Sequence, residues 1–396
     1  MSSTLFSLQV KSTLKEWSDQ EWNRCLGSKG CPFLRYEFLL ALEESECVGE
    51  ESGWIPFYFG LFMNSRQVGA VAAYQKWNSQ GEFIFDWSWA EAAQRVGLPY
   101  YPKLTVASPF SPVGGPRFLI DDSLSQDSQK DVFITLVNAL RQWGVDFPIT
   151  GLHFLFISNK EAEQLEKQDF LIRHSLQYHW HNQGYTDFND FLSCFKSKTR
   201  NQIRRERRSV YDQGVSIKAY IGDEIQEEHL PLIYSFYTKT VDQFFWGQRY
   251  LNYTFFKKVY QTMRQFMCLI LAYQKDEVIG GTFNLVSDGV LYGRYWGGLD
   301  DIETGRPRVP FLHFEVCSYF AIDLCIQKGW TRFEPGAGGR EHKCKRGFFP
   351  TRCYSAHDVY LPGFQNALVD FLDHEQSMVR LEVEETSKRI FRNKNP

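Results

Sequence analysis

The sequence predicts a mixed α/β protein, with mixed sheets flanked by helices, built from two similar halves. Three observations predict it: a globular composition over a length too great for one small core, a strand-turn-strand pattern that occurs twice, and amphipathic helices alternating with apolar strands. The chain has 396 residues, 43% hydrophobic and 23% charged, which is the composition of a folded rather than a disordered protein. At roughly 100–200 residues per domain, two domains are expected. Residues 54–74 run from the apolar stretch Ile55 to Met63 through Asn64-Ser65-Arg66 into Val68-Gly69-Ala70-Val71-Ala72. Residues 266–285 repeat the form, from Cys268 to Tyr273 through Lys275-Asp276-Glu277 into Val278-Ile279-Gly280-Gly281-Thr282-Phe283. A tight polar turn between apolar strands, with a small-residue pair in the second, marks a hairpin in each half and suggests a duplication.

The helices follow from their spacing. In residues 129–143 the apolar side chains Phe133, Leu136, Val137, Leu140 and Trp143 recur at helical intervals before Gly144, and residues 152–157 read as a strand. Pro310 opens a helix through Lys328 that Gly329 stops, and the strand 330–334 leads into Gly336-Ala337-Gly338-Gly339. A last helix over 363–383 buries Phe364, Leu368, Phe371 and Leu372. The expected division is an N-terminal domain 1–172, a C-terminal domain 173–383 and a charged tail 384–396.

Charge and cysteine usage narrow the class. Forty-four basic and 47 acidic residues leave a net charge of −3, so contact with nucleic acid or an anionic surface must come from a local patch. No apolar run approaches the ~20 residues of a membrane span, and the N-terminus lacks the apolar core of a secretory signal. A cytoplasmic protein is expected. The nine cysteines contain no Cys-x-x-Cys pair and read as reduced thiols, while His179 and His181 have no ligand cluster beside them, so no metal is expected.

Four constellations could carry chemistry. Lys196-Ser-Lys-Thr-Arg-Asn-Gln-Ile-Arg-Arg-Glu-Arg-Arg208 holds seven basic residues and one acid. Leu192, Phe195, Thr199, Ile203 and Val210 make one apolar stripe, leaving Arg200, Arg204, Arg207 and Arg208 exposed beside it, either to grip phosphates or as a solvated face. The turn after residue 334 gathers Gly336, Gly338 and Gly339 with Glu341, His342, Lys343, Lys345 and Arg346, and glycine backbone N–H groups can converge on an anion or oxyanion. Phe311-Leu-His-Phe-Glu315 brings His313 and Glu315 to a helix start, where Glu315 either caps or acts. Phe85-Asp-Trp-Ser-Trp89, Tyr100-Tyr-Pro-Lys103 and Ser111-Pro-Val-Gly-Gly-Pro-Arg117 mix aromatics with isolated charges, as a core cluster or a binding cleft does. A Gly-x-Ser-x-Gly elbow, a Walker A loop and an early Gly-x-Gly-x-x-Gly are all missing, which lowers hydrolases, ATPases and dinucleotide enzymes.

These motifs together resemble a known family. Phe85-Asp-Trp-Ser-Trp-Ala, Tyr100-Tyr-Pro-Lys-Leu, Pro109-Phe-Ser-Pro-Val-Gly-Gly-Pro-Arg, His179-Trp-His-Asn, the Arg204 run, Tyr292-Gly-Arg-Tyr-Trp-Gly, Leu312-His-Phe-Glu and Glu341-His-Lys are similar, in this order, to predicted N-acyltransferases labelled peptidoglycan biosynthesis or recognition. The resemblance extends to the Fem peptidyltransferases and implies tandem acetyltransferase-like (GNAT) domains. It implies transfer of an acyl or aminoacyl group to an amine by direct attack, with no covalent enzyme intermediate. The attacking amine must lose a proton, and Glu315, His342, Glu341 and His313 are the candidate bases, the first two foremost. Backbone N–H groups of the strand before Pro310 or of the 336–339 turn would hold the oxyanion. Arg200, Arg204, Arg205, Arg208, Lys343 and Arg346 would hold the donor, which is acyl-CoA or aminoacyl-tRNA. Asp86, Trp87, Trp89, Tyr100, Tyr101, Lys103 and Arg117 would bind the acceptor, a small-molecule or peptide amine. The other reading is a non-catalytic protein of the same fold that binds cell-wall precursor, RNA or another phosphorylated ligand.

Overall fold

The structure, a computed structural model, describes residues 6–27, 30–243, 247–299, 308–338 and 340–390, with the side chains of 340, 341 and 387–390 outside the description. It divides into two units, Met1–Ser175 with Arg352–Val379 and Leu176–Thr351 with Arg380–Pro396. The chain passes from the first to the second within one strand and returns within another. The expected boundary at 172 therefore falls inside a strand, residues 352–379 group with the first unit, and a helix continues through much of the segment expected to be a tail.

In the first unit the order is β1 (Phe6–Lys11), α1 (Asp19–Leu26), α2 (Tyr36–Glu44), β2 (Ile55–Met63), β3 (Arg66–Lys76), α3 (Trp87–Arg95), β4 (Lys103–Val106), β5 (Leu119–Ile120), α4 (Gln126–Asp146), β6 (Gly151–Ile157), α5 (Asn159–Glu166) and β7 (Leu171–His181). The second continues with α6 (Phe188–Ser193), α7 (Ser197–Tyr211), β8 (Val215–Ile221), α8 (Leu230–Asp242), α9 (Tyr253–Met263), β9 (Met267–Gln274), β10 (Glu277–Ser287) and β11 (Val290–Gly298). A helix then opens as α10 (Leu312–Phe314), passes through a π-helical segment Glu315–Phe320 and ends as α11 (Ala321–Gln327). After it come β12 (Arg332–Glu334), α12 (Arg340–Cys344), β13 (Phe349–Val359) and α13 (Phe364–Ile390).

The two units repeat one plan: strand, two helices, hairpin, strand, long helix, parallel strand, short helix, strand. The sheets run β1-β2-β3-β4-β6-β13 and β8-β9-β10-β11-β12-β7. Within each, β4 with β6 and β11 with β12 are parallel, joined by the long helix as a parallel pair requires. The final strands are exchanged. Strand β7, at the end of the first half of the chain, pairs with β12 (Arg332↔His181), and β13 pairs with β6 (Tyr354↔Ile157 to Val359↔Gly151).

Both hairpins turn through two left-handed residues, Asn64 and Ser65 at φ 51 and 65°, Lys275 and Asp276 at φ 51 and 64°. Such turns match the right-handed twist of the strands. The small residues that mark the second strand of each hairpin let a helix approach. A Cβ on Gly69 would lie 2.8 Å from Val132 of α4, and one on Gly281 would lie 2.6 Å from the Ile270 carbonyl and 2.8 Å from Phe236 of α8. Around β3 and α4 the first core buries Val71, Val132, Leu136 and Leu140. The second core packs Phe195 and Ile203 of the basic segment against Val316, Ile322 and Ile270. On α13, Phe364, Leu368 and Leu372 are buried but Phe371 is 40% exposed. Among the described residues no helix is long and apolar enough to cross a membrane.

Because the Gly281 approach is partly to backbone, which cannot rotate away, Gly281→Ala is expected to lower stability by about 1–3 kcal/mol. An unchanged denaturation midpoint would show that the approach is not close.

Candidate functional site

In the second unit β11 pairs with β12 only from Val290 to Tyr292 and then runs on to Gly298. Thr240 and Lys239 of α8 meet this extension: the Trp296 N–H donates to Thr240 Oγ1 at 2.8 Å, and Lys239 Nζ donates to the Gly298 carbonyl at 2.7 Å. Beyond β12 the chain turns through Gly336 and Gly338, both left-handed at φ 81 and 78°. Lys343 of α12 folds back onto this turn, donating to the carbonyls of Gly336 and Ala337. Burial, followed by the nearby Arg294 cation, lowers the Lys343 ammonium to about 8. Lys343 thus shapes the turn from within. Gly339 lies outside the described residues, as does the side chain of Glu341.

Phe314 is the hub of the helix start. The His313 ring is 5.5 Å from it, the His342 ring 5.9 Å, and the Arg346 guanidinium 3.3 Å above its face. His313 also meets Trp296 at 5.3 Å. Both histidines keep exposed surface. The His313 imidazole is held below its usual range by desolvation among these rings, then by Arg346, His342 and Lys343, so it is neutral at pH 7 with a lone pair to accept a proton. Cys317, one turn on, has its thiol raised by burial and is a poor nucleophile.

Glu315 points elsewhere. It is completely buried, its Oε1 accepting from Arg207 Nε at 3.1 Å and from the Tyr211 hydroxyl at 2.9 Å. Burial raises its carboxyl while Arg207 opposes the rise. Successive helix positions diverge by about 100°, so His313 and Glu315 cannot share one face. The expected ranking of Glu315 as base is corrected: it is an internal anchor for α7. Arg207, expected on the exposed face, turns inward to Glu315, to Asp323 at 3.4 Å and over the Phe188 ring at 4.1 Å.

Arg346 is corrected likewise. Its Nη2 donates to buried Glu206 at 3.1 Å, alongside the Tyr319 hydroxyl at 2.5 Å and Gln202 Nε2 at 2.8 Å, and its Nη1 donates to the His342 carbonyl at 2.8 Å. It joins α7 to α12 instead of facing solvent. Arg204, Arg205 and Arg208 are exposed with no acidic partner among the described residues, and half-buried Arg200 makes a 3.4 Å contact to Ser197. The buried stripe of α7 is Ile203, Glu206 and Val210.

In the first unit, Lys76 and Lys103 stand directly opposite on β3 and β4, both buried. Facing like charges are destabilising, and the loop between Lys76 and α3 supplies the compensation. Lys103 Nζ donates to Asp86 at 2.5 Å, Glu82 at 2.9 Å and Ser79 at 3.0 Å. Burial would lower the Lys103 ammonium, but Glu82 and Asp86 outweigh it and hold it charged. Burial would raise Asp86, but the Lys103 ammonium holds it well below the usual carboxylate range. Burial lowers Lys76 to about 7 and raises Glu82 to about 7. Lys76 donates to the Gln80 carbonyl and lies 3.9 Å over the Trp54 ring.

Of the expected acceptor residues, Asp86 and Lys103 belong to this buried cluster, with the Tyr100 hydroxyl donating to Asp86 at 2.7 Å. Trp89 is a core residue of α3 and α13. Arg117 is buried with its guanidinium on the carbonyls of Leu155, Gly115, Pro116 and Val113, so both are held within the fold, a correction to their expected acceptor-binding role. Trp87, Tyr100 and Tyr101 instead line a pocket of about 550 Å³. Residues not singled out from sequence are Ser79, Glu82, Lys76 and the cross-strand pair His153 and His357, whose Nδ1 atoms are 2.8 Å apart. Two acids four apart inside an aromatic segment were the available signal.

Two units of one strand-helix order, each opening a long helix between parallel strands, define a tandem GNAT-like protein. The chain belongs to the FemAB-like family, described as peptidoglycan biosynthesis/recognition, which it matches over residues 13–393. Among solved structures it is similar to L-PGS from Bacillus licheniformis, at 11% identity over 93% of this chain and 97% of that one with a TM-score of 0.52. It is similar to FemX at 9% identity over 94% and 99% with a TM-score of 0.52. The C-terminal domain of a putative lysylphosphatidylglycerol synthetase from Agrobacterium fabrum matches at 10% identity over 90% and 95% with a TM-score of 0.50. At these identities the likeness establishes the fold. No curated protein matches the chain significantly in sequence.

Burial holds His153, His357 and His179 neutral, His153 down to about 3 and the other two well below 6.5. Their folded-state values lie below the unfolded value, so the unfolded chain binds more protons under about pH 6.5. Stability is present above that pH and falls as pH falls through it, by up to about 1.4 kcal/mol per pH unit for each histidine. Glu82, raised to about 7, opposes this with a single proton. Urea midpoints at pH 7.5 and 5.5 should show the loss, and the double variant His153→Gln/His357→Gln should reduce it; equal midpoints would contradict the buried neutral state.

Proposed function

We propose that the protein transfers an acyl or aminoacyl group to an amine acceptor by direct attack of the amine on the donor carbonyl. The observation that carries this reading is the pair His313 and His342 flanking Phe314, with His313 held neutral while keeping exposed surface. The amine must shed a proton as it adds to the carbonyl, where its N–H becomes far more acidic than that of a free ammonium, and a neutral imidazole can accept the proton at that stage. His313 is the base in this reading. The thiol in reach of the same helix is unsuited to covalent catalysis, which favours direct transfer.

The donor is an acyl-CoA or an aminoacyl-tRNA. Both present phosphates, and the exposed Arg204, Arg205 and Arg208 of α7 with Arg200 offer the unpaired guanidinium face that holds phosphate by paired hydrogen bonds. Lys343 contributes by fixing the Gly336–Gly338 turn, whose backbone N–H groups would meet the oxyanion. Acceptor recognition belongs to Trp87, Tyr100 and Tyr101.

The test is turnover with acetyl-CoA and with aminoacyl-tRNA as donors against a panel of amine acceptors including peptidoglycan precursors. His313→Gln should lose roughly 100-fold or more in kcat while donor binding is kept. Undiminished turnover in His313→Gln and His342→Gln would remove the imidazole from the mechanism. Separately, Arg204→Glu/Arg208→Glu should weaken donor binding at least about tenfold and flatten its salt dependence. Unchanged affinity in that variant would return α7 to a solvated face.

A further inference from the structure

The loop from Trp77 to Trp87 is inside out. Its acids and hydroxyl, Glu82, Asp86 and Ser79, are buried, while Trp77, Phe83, Phe85 and Trp87 are 58, 39, 40 and 58% exposed. Folded proteins do the reverse unless a surface has a use. Trp87 stacks on Phe85 at 4.2 Å and also walls the pocket of about 550 Å³ with Tyr100 and Tyr101, a volume suited to a small-molecule group.

The protons of the cluster behind the pocket can be placed by counting donors. Lys103 has three ammonium protons and three acceptors, Asp86, Glu82 and Ser79. Ser79 has one proton, which goes to Asp86 Oδ1, while its oxygen accepts from Lys103. The 3.0 Å contact between Ser79 Oγ and the Tyr101 hydroxyl must then be donated by Tyr101. Tyr100 donates to Asp86. Both phenol protons point into the protein; the Tyr100 hydroxyl is itself buried on Asp86, and half-buried Tyr101 keeps only oxygen lone pairs for a ligand. Both hydroxyls are also raised above their usual range, first by burial and then by Asp86, so they stay neutral. The other polar lining groups are Gln94 and the carboxylate of Glu91, whose partner Arg95 is an exposed surface pair at 2.6 Å. Aromatic faces, lone pairs and a carboxylate all attract a cation that carries N–H donors.

We infer that this pocket recognises a ligand through a protonated ammonium group held between the Trp87 ring and the outward lone pairs of Tyr101, with the Tyr100 ring as wall. The inference deepens the transferase reading, on which it rests for the identity of the ligand as the amine acceptor. An acid or a phosphate would find only the Gln94 amide and the Trp87 indole N–H as side-chain donors, beside the repelling Glu91 carboxylate, and a neutral chain would gain apolar contact alone.

The test reads binding directly, without donor or turnover, through the Trp87 indole resonance titrated with n-butylammonium, n-butanol and butyrate. Butylammonium should bind about tenfold more tightly than butanol, and butyrate should not shift the resonance. Tyr101→Phe, with an unchanged melting temperature, should reduce the preference for ammonium over butanol by several-fold. Trp87→Ala, read by calorimetry, should weaken the ammonium by about tenfold. Equal affinity for butanol, preference for butyrate, no response to any probe, or an ammonium preference that survives Tyr101→Phe would each overturn the inference. Transfer to an amine by a protein whose pocket ignores ammonium would overturn it while leaving the transferase reading. An ammonium-selective pocket in a protein inactive with both donor classes would do the opposite.

Discussion

The second unit depends on how briefly β11 and β12 run together. Their parallel pairing covers Val290 to Tyr292, and the two chains then part, one towards the long helix and the other into the glycine turn. Because parallel strands point the same way, the segments that leave them emerge at the same end of the sheet. That constraint puts α10 and α12 together around Phe314, and it is why His313 and His342, far apart in sequence, meet one ring. The surroundings then decide their chemistry. Desolvation first, and then the neighbouring Arg346, His342 and Lys343, keep His313 neutral, and Lys343 fixes the turn beside it.

The first unit has a different governing interaction. Two lysines face each other across β3 and β4, and one of them, Lys103, is held by two carboxylates from the loop above. A buried pair of this kind is a weak source of stability, because desolvation offsets much of the Coulomb attraction, whereas removing one partner leaves an unpaired charge. Its presence beside a pocket is therefore better explained by what it orients. By accepting every available proton, the cluster fixes the hydroxyls of Tyr100 and Tyr101 and draws Glu82 and Asp86 inward. The price is four aromatic rings turned to solvent on the same loop.

Much of the fold was legible because the signals are local. Each hairpin is announced by a polar turn between apolar runs, and α4 by apolar positions at helical spacing, so both appear where the sequence placed them. The exchange of β7 and β13 was not legible, since nothing in either strand specifies a partner so distant in sequence. The site was half legible for the same reason. The helix start Phe311 to Glu315 and the glycine turn do come together. Which of His313 and Glu315 turns outward depends on Arg207 and Tyr211, contributed by another helix that the sequence could identify only as basic. Arg346 and Arg207 looked like their neighbours in a charge run, and only burial of Glu206 and Glu315 separates structural arginines from exposed ones.

The central claim is that His313 is a neutral, solvent-reachable imidazole at the helix start. Its most direct test is an NMR titration of the His313 ring in the full-length protein between pH 4.5 and 8.5. The account predicts a ring that stays neutral through pH 6.5 and protonates only well below it, and that moves up towards ordinary histidine values in Lys343→Met, which removes one of the opposing cations. A ring that titrates at or above 6.5 in the unaltered protein would contradict the account.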